Sequence, residues 1–140
     1  MSDPFGLQRF VDAQAPVYSR VLAELRHGKK ESHWMWFIFP QFAGLGNSSM
    51  TQRFAIGSRE EAVAYVGHGV LGSRLRECSE LVNGIDGSTI REILGSPDDF
   101  KFRSSMTLFG EVSSDPVFRT AISKCYDGKQ DQRTLTLLGD

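Results

Sequence analysis

The sequence predicts an all-α fold, and three observations carry that expectation. Helix start and stop signals alternate along most of the chain, apolar residues recur on a 3.6-residue period, and the links between periodic segments are short. No repeat or low-complexity segment interrupts them. The chain has 140 residues, of which 40% are hydrophobic and 24% charged. That is enough to bury one core, so residues 1–140 are expected to form a single, compact, multi-helix bundle-like domain.

Taken in order, helices are expected near residues 4–12, 16–27, 59–67, 70–83, 89–94, 97–110, 116–127 and 132–138. Asp3-Pro4, Ser96-Pro97 and Asp115-Pro116 each put a side-chain acceptor at an N-cap and proline at the first helical position, where its missing N–H costs nothing. Tyr18, Leu22 and Leu25 form an apolar stripe after Pro16. Ser58 to Glu61 reads as a capping box. Leu71, Leu75, Cys78 and Val82 share one helix face, and Phe118, Ala121, Ile122 and Cys125 share another. Gly28, Gly95 and Gly128 suit the left-handed position that closes a helix.

The stretch Ser32 to Pro40 is ambiguous, because its aromatic run has strand propensity. Ser32 as N-cap and Pro40 as terminator would instead bound a helix of about two turns. Either way it belongs in the core. The glycine loop 41–49 follows and leads into another short helix. It reads either as a simple turn or as a place where backbone approaches an anion.

Composition excludes several classes. Sixteen Lys and Arg stand against seventeen Asp and Glu, a net charge of −1 with a pI near 6.3. A phosphate-gripping DNA binder needs a basic surplus. No stretch approaches the roughly 20 apolar residues of a membrane span, and MSDPFGLQRF lacks the pattern of a secretory signal. A cytoplasmic protein without nucleic-acid or membrane partners is expected, as a monomer or weak homodimer. Cys78 and Cys125 lack a C-x-x-C pattern and lie on apolar stripes, which marks them as structural in a reducing compartment.

His27, His33 and His68 match no metal motif, so neither a metal nor another cofactor is expected. His27 and His68 stand at helix ends, where a cation suits the dipole. His33 opens the aromatic segment, either half-buried and bonded to backbone or as a polar handle on a pocket. Asp98 and Asp99 are spaced to pair with Lys101 and Arg103. Ser104, Ser105 and Thr107 are poor mid-helix residues. They either allow close helix packing or line a polar pocket with Lys101 and Arg103 at its rim. No G-x-S-x-G or S-x-x-K nucleophile motif occurs.

Two readings of function follow. In the first, a small anionic or nucleotide-like ligand sits between the segment 33–41 and the helix 98–107. His33 and Gln41 orient it, Trp34 or Trp36 stacks on it, Lys101 and Arg103 hold its charge, and Ser104, Ser105 and Thr107 supply hydroxyls. His33 would be the general acid or base should a reaction follow. In the second, the same aromatic and arginine residues anchor a protein–protein interface with no catalysis.

At SHWMWFIFPQ, GLG, EAVAYVGHGVLGSRLREC and SPDDFKFRSSMTLF the chain resembles the bacterial domain-of-unknown-function family 1810, from about residue 3 to residue 138. The resemblance implies a compact, mainly helical domain and favours helix over strand at 32–40. It implies no activity. Members carry the label "calpastatin", but calpain inhibitors of that name are disordered, repeat-bearing segments. With 11% aromatic residues and no repeats, this chain does not fit that description.

Overall fold

A computed structural model describes residues 2–139, and the all-α expectation holds. In chain order the helices are α1 (Gln8–Gln14), α2 (Tyr18–Arg26), α3 (Met35–Ile38), α4 (Ser49–Arg53), α5 (Arg59–Gly67), α6 (Leu71–Asn83), α7 (Ile90–Leu94), α8 (Asp98–Val112), α9 (Pro116–Tyr126) and α10 (Gln132–Leu138). Among the described residues the one extended pairing is an isolated bridge between Phe42 and Ile56.

Helix α8 is the axis of the packing, touching α5, α7, α9 and α10. Its Phe102, Met106 and Phe109 are fully buried. Phe102 meets Phe39 edge-on at 4.8 Å, and Phe109 lies 5.3 Å from Tyr65, which in turn meets Phe10 edge-on at 5.0 Å. Edge-to-face rings at such separations gain quadrupole attraction beyond their burial. The segment 34–39 therefore is core, as expected, and α8 is the surface on which it rests.

The capping signals were met unevenly. Asp115 accepts the Val117 N–H with Pro116 behind it, as expected. Asp3 accepts the Leu7 and Gln8 N–H groups at 2.8 and 3.0 Å, but a turn intervenes, so α1 starts four residues later than residue 4. Ser58 accepts the Glu61 N–H, but the Glu61 carboxylate bonds Gly57 N–H and Arg9 rather than returning to Ser58. Ser96 does not cap α8, whose N-cap position is Pro97. An unanticipated capping box joins Thr89 and Glu92. Gly28, Gly95 and Gly128 all take positive φ.

The two-turn helix expected over 32–40 is a single turn, because Ser32 has another use. The Glu24 carboxylate at the end of α2 accepts the Glu31 and Ser32 N–H groups, the Ser32 hydroxyl and the Trp34 indole N–H, at 2.5 to 3.0 Å. Burial alone would raise the Glu24 pKa. The bonds from Ser32, Glu31 and Trp34 outweigh it and hold the group at about 2. A carboxylate lowered in the folded state stabilises it fully above its unfolded pKa and progressively less as pH falls from about 5 towards 2.

Two measurements check this frame. Glu24→Ala strands the buried Trp34 and half-buried Ser32 donors and is expected to cost about 3 kcal/mol, roughly a 10 °C fall in Tm. Glu24→Gln, followed by acid titration, should flatten the loss of stability between about pH 5 and 2. At the α5–α6 junction, a Cβ on Gly72 would lie 2.1 Å from the Val66 carbonyl oxygen, whereas one on Gly69 meets nothing within 4 Å. Gly72→Ala should therefore destabilise by about 1–3 kcal/mol in a denaturant melt, and Gly69→Ala by less than about 0.5.

Candidate functional site

Where α8 begins, loop 41–46 and α10 close around an open cleft of about 240 Å³. Gln41, Gly46 and Thr51 form one wall. Pro97 just before α8 and Phe100, Lys101 and Ser104 within it line a second side, and Asp131 and Arg133 at the start of α10 a third. The loop holds its shape through two backbone bonds across the bridge, Ala43 N–H to Ile56 O and Ile56 N–H to Gln41 O, both 2.9 Å. Gly44 turns it with φ +100, a conformation L side chains rarely adopt, and Leu137 packs against that glycine.

Three of the residues expected at a site, Gln41, Lys101 and Ser104, line this cleft together. Trp36 stands next to it, with the Lys101 ammonium 5.4 Å from its ring centroid. Trp34 does not face the cleft. It is 1% exposed, its N–H bonded to Glu24 and its ring under Lys30 at 5.1 Å. His33 is exposed and forms no hydrogen bond among the described residues, contrary to the half-buried, backbone-bonded alternative. Because Ser32 and Trp34 on either side bond inward to Glu24, His33 is left outside.

The remaining three hold structure. Arg103 donates to the Lys129 and Gln130 carbonyls at 2.7 and 3.1 Å and lies over the Tyr126 ring, so it is not at the rim and does not pair with Asp99. Thr107 is buried and accepts the Asp131 N–H at 2.9 Å. Ser105 is buried with no partner for its hydroxyl, which fits close helix packing. His68 also departs from expectation. Its Nδ1 accepts the Val70 and Leu71 N–H groups, so it serves the start of α6 rather than the dipole at the end of α5.

Asp131, Arg133, Phe100 and Thr51 line the cleft without having been assigned to a site by the sequence reading. Asp131 is the N-cap of α10, where its side chain accepts the Thr134 N–H, and the spacing Asp-x-x-Thr was a visible signal for that role. Arg133 and Phe100 carried none, since only folding brings α10 to α8.

The charge balance of the cleft is uneven. Lys101 has its nearest carboxylate, Asp98, at 3.8 Å, while Asp98 is held more closely by Lys30 at 2.9 Å. Among the described residues Arg133 donates only to the Gly44 carbonyl, at 3.4 Å. Asp131 Oδ2 takes bonds from Ser104 Oγ, Thr134 N–H and Thr134 Oγ1, and its Oδ1 takes none among the described residues. Two loosely held cations thus share the cleft with one carboxylate that is half committed.

No activated thiol lies there. Burial pushes the Cys78 thiol up to about 12 and raises that of Cys125 as well. Among the described residues no group of three or more His, Cys, Asp or Glu is placed to hold a metal ion. No described helix is long and apolar enough to cross a membrane.

The roles of the two neighbouring cations separate experimentally. Arg103→Ala should release the 129–131 turn and lower amide-exchange protection across α10. Lys101→Ala removes only a loose ion pair and should shift stability by less than about 1 kcal/mol.

A search of curated proteins finds no match. Among solved structures, the crystal structure of the conserved hypothetical protein Rv1873 from Mycobacterium tuberculosis is similar over 99% of both chains, at 52% identity and a TM-score of 0.97. The family model described as "Protein of unknown function (DUF1810)" matches residues 4–138. With nearly the whole length covered and the same helical fold in that relative, the chain belongs to the DUF1810 family of proteins of unknown function.

Proposed function

We propose that this protein binds a small anionic ligand in the cleft between loop 41–46, α8 and α10. The observation that supports it most is the convergence of Lys101 and Arg133, from different helices, Lys101 only loosely paired with Asp98 at 3.8 Å and Arg133 in no ion pair among the described residues. A guanidinium and an ammonium together suit a phosphate or carboxylate group. Gln41 orients the ligand by hydrogen bonding, and the ring of Trp36 sets the position of the Lys101 ammonium. Two free cysteines, one of them buried, support a reducing, cytoplasmic setting.

A second reading rests on one further feature. Phe100, which lines the cleft, is 62% exposed, and Leu137 of α10 is 43% exposed. Exposed aromatic residues of this kind also anchor protein interfaces. On that reading the protein self-associates or docks a partner there.

A thermal-shift series with phosphate esters and small carboxylates separates the two. A ligand at about a hundred times its Kd adds roughly 2.7 kcal/mol, a shift of roughly 5–10 °C. Lys101→Ala and Arg133→Ala should each abolish it. A flat response in every case, with mass that rises with concentration in sedimentation and falls back in Phe100→Ala, would replace ligand binding with the interface.

A further inference from the structure

Resting on the anion-binding reading, we infer that the ligand is a phosphorylated sugar, with its phosphate on Lys101 and Arg133 and its hydroxyls on Asp131. The reasoning starts from the charge that an anion site ought to lack. Asp131 lines the same cleft as the two cations, and a carboxylate there repels a bare phosphate. It is not neutralised by its own contacts, because Ser104 and Thr134 bond Oδ2 alone. Oδ1 accepts no bond among the described residues, in a residue that lines the same cleft as two cationic donors.

One ligand chemistry satisfies all three groups at once. It carries a dianionic group at one end and hydroxyl donors a few ångströms away. Hydroxyl-to-carboxylate bonds are charge-assisted and about twice as strong as neutral ones. A site built to accept a hydroxyl also rejects an analogue that lacks it, since the acceptor is then desolvated without a partner.

Two further features agree. At about 240 Å³ the cleft lies just under the usual range for small-molecule sites, room for a pentose phosphate but not for a dinucleotide. Phe100 lines the cleft with an exposed apolar ring. That ring suits the carbon face of a sugar, free or carried in a nucleotide.

The carboxylate itself is pinned from behind. Thr107 Oγ1 accepts the Asp131 N–H, and Arg103 holds the two carbonyls before it. The position of Oδ1 is thus set by α8, the most buried helix of the fold. Arg103 and Thr107 are positioning residues in this scheme and do not touch the ligand.

Calorimetric titration of the wild-type protein with methyl phosphate, ribose 5-phosphate and adenosine 5′-monophosphate tests the inference without any variant. The expected result is ribose 5-phosphate binding at least tenfold more tightly than methyl phosphate. If the sugar arrives within a nucleotide, adenosine 5′-monophosphate binds tighter still, and Phe100→Ala weakens both sugar-bearing ligands while leaving methyl phosphate unchanged. Asp131→Asn keeps a good N-cap for α10. It should reduce ribose 5-phosphate affinity at least fivefold while improving methyl phosphate binding, opposite signs that simple unfolding would not produce. Equal affinity for methyl phosphate and ribose 5-phosphate overturns the sugar assignment and leaves the anion site standing. No heat with any phosphate overturns both.

Discussion

A single buried carboxylate organises this fold. Glu24 takes four hydrogen bonds from the segment that leaves α2, and those bonds set where Trp34 enters the core. A charge at 9% exposure is tolerable only when fully hydrogen-bonded, and here the donors are two backbone amides, a hydroxyl and an indole. From that point the chain is committed. Lys30 bonds its N–H to the Ile93 carbonyl of α7 and its ammonium to Asp98 at the start of α8. The Glu24 knot thereby also places the first turn of α8, where the cleft begins.

Helix α8 then has two unlike halves. Its inner face carries Phe102, Met106 and Phe109 into the aromatic stack, while Phe100, Lys101 and Ser104 face the cleft. Two of the three hydroxyls that make it a poor helix on propensity alone are spent on neighbours, and Ser105 is the exception. Ser104 and Thr107 hold the Asp131 carboxylate and amide, so α10 is fastened by side chains of α8 rather than by apolar burial. Only Thr134 of α10 is buried. This is why a short helix with little core of its own can still present Asp131 and Arg133 at fixed positions.

The helical fold was legible because its signals are local. The cap at Asp115 and the stripe from Leu71 to Val82 depend on neighbours a few residues away and are found as expected, and Ser58 caps α5 without the return bond from Glu61. The site was only half legible, for the opposite reason. Gln41, Lys101 and Ser104 sit in motifs that stood out by composition, yet Trp34 and Arg103 stood out equally and serve the framework. Nothing in the spacing around Ser32 announces that Glu24, eight residues earlier, would take its hydroxyl and leave His33 outside. Nor does the run Asp131 to Arg133 announce α8 as its partner. Both depend on contacts between distant segments, and those arise only once the core has formed.

On the proposed reading, cations from α8 and α10 meet in one ligand site. Amide chemical-shift mapping during a titration with methyl phosphate tests it at residue level. The account predicts saturable shifts at Gln41, Gly46, Thr51, Lys101, Ser104 and Arg133, with the amides of α6 and α9 unmoved. Shifts centred elsewhere, or none at millimolar ligand, would contradict it.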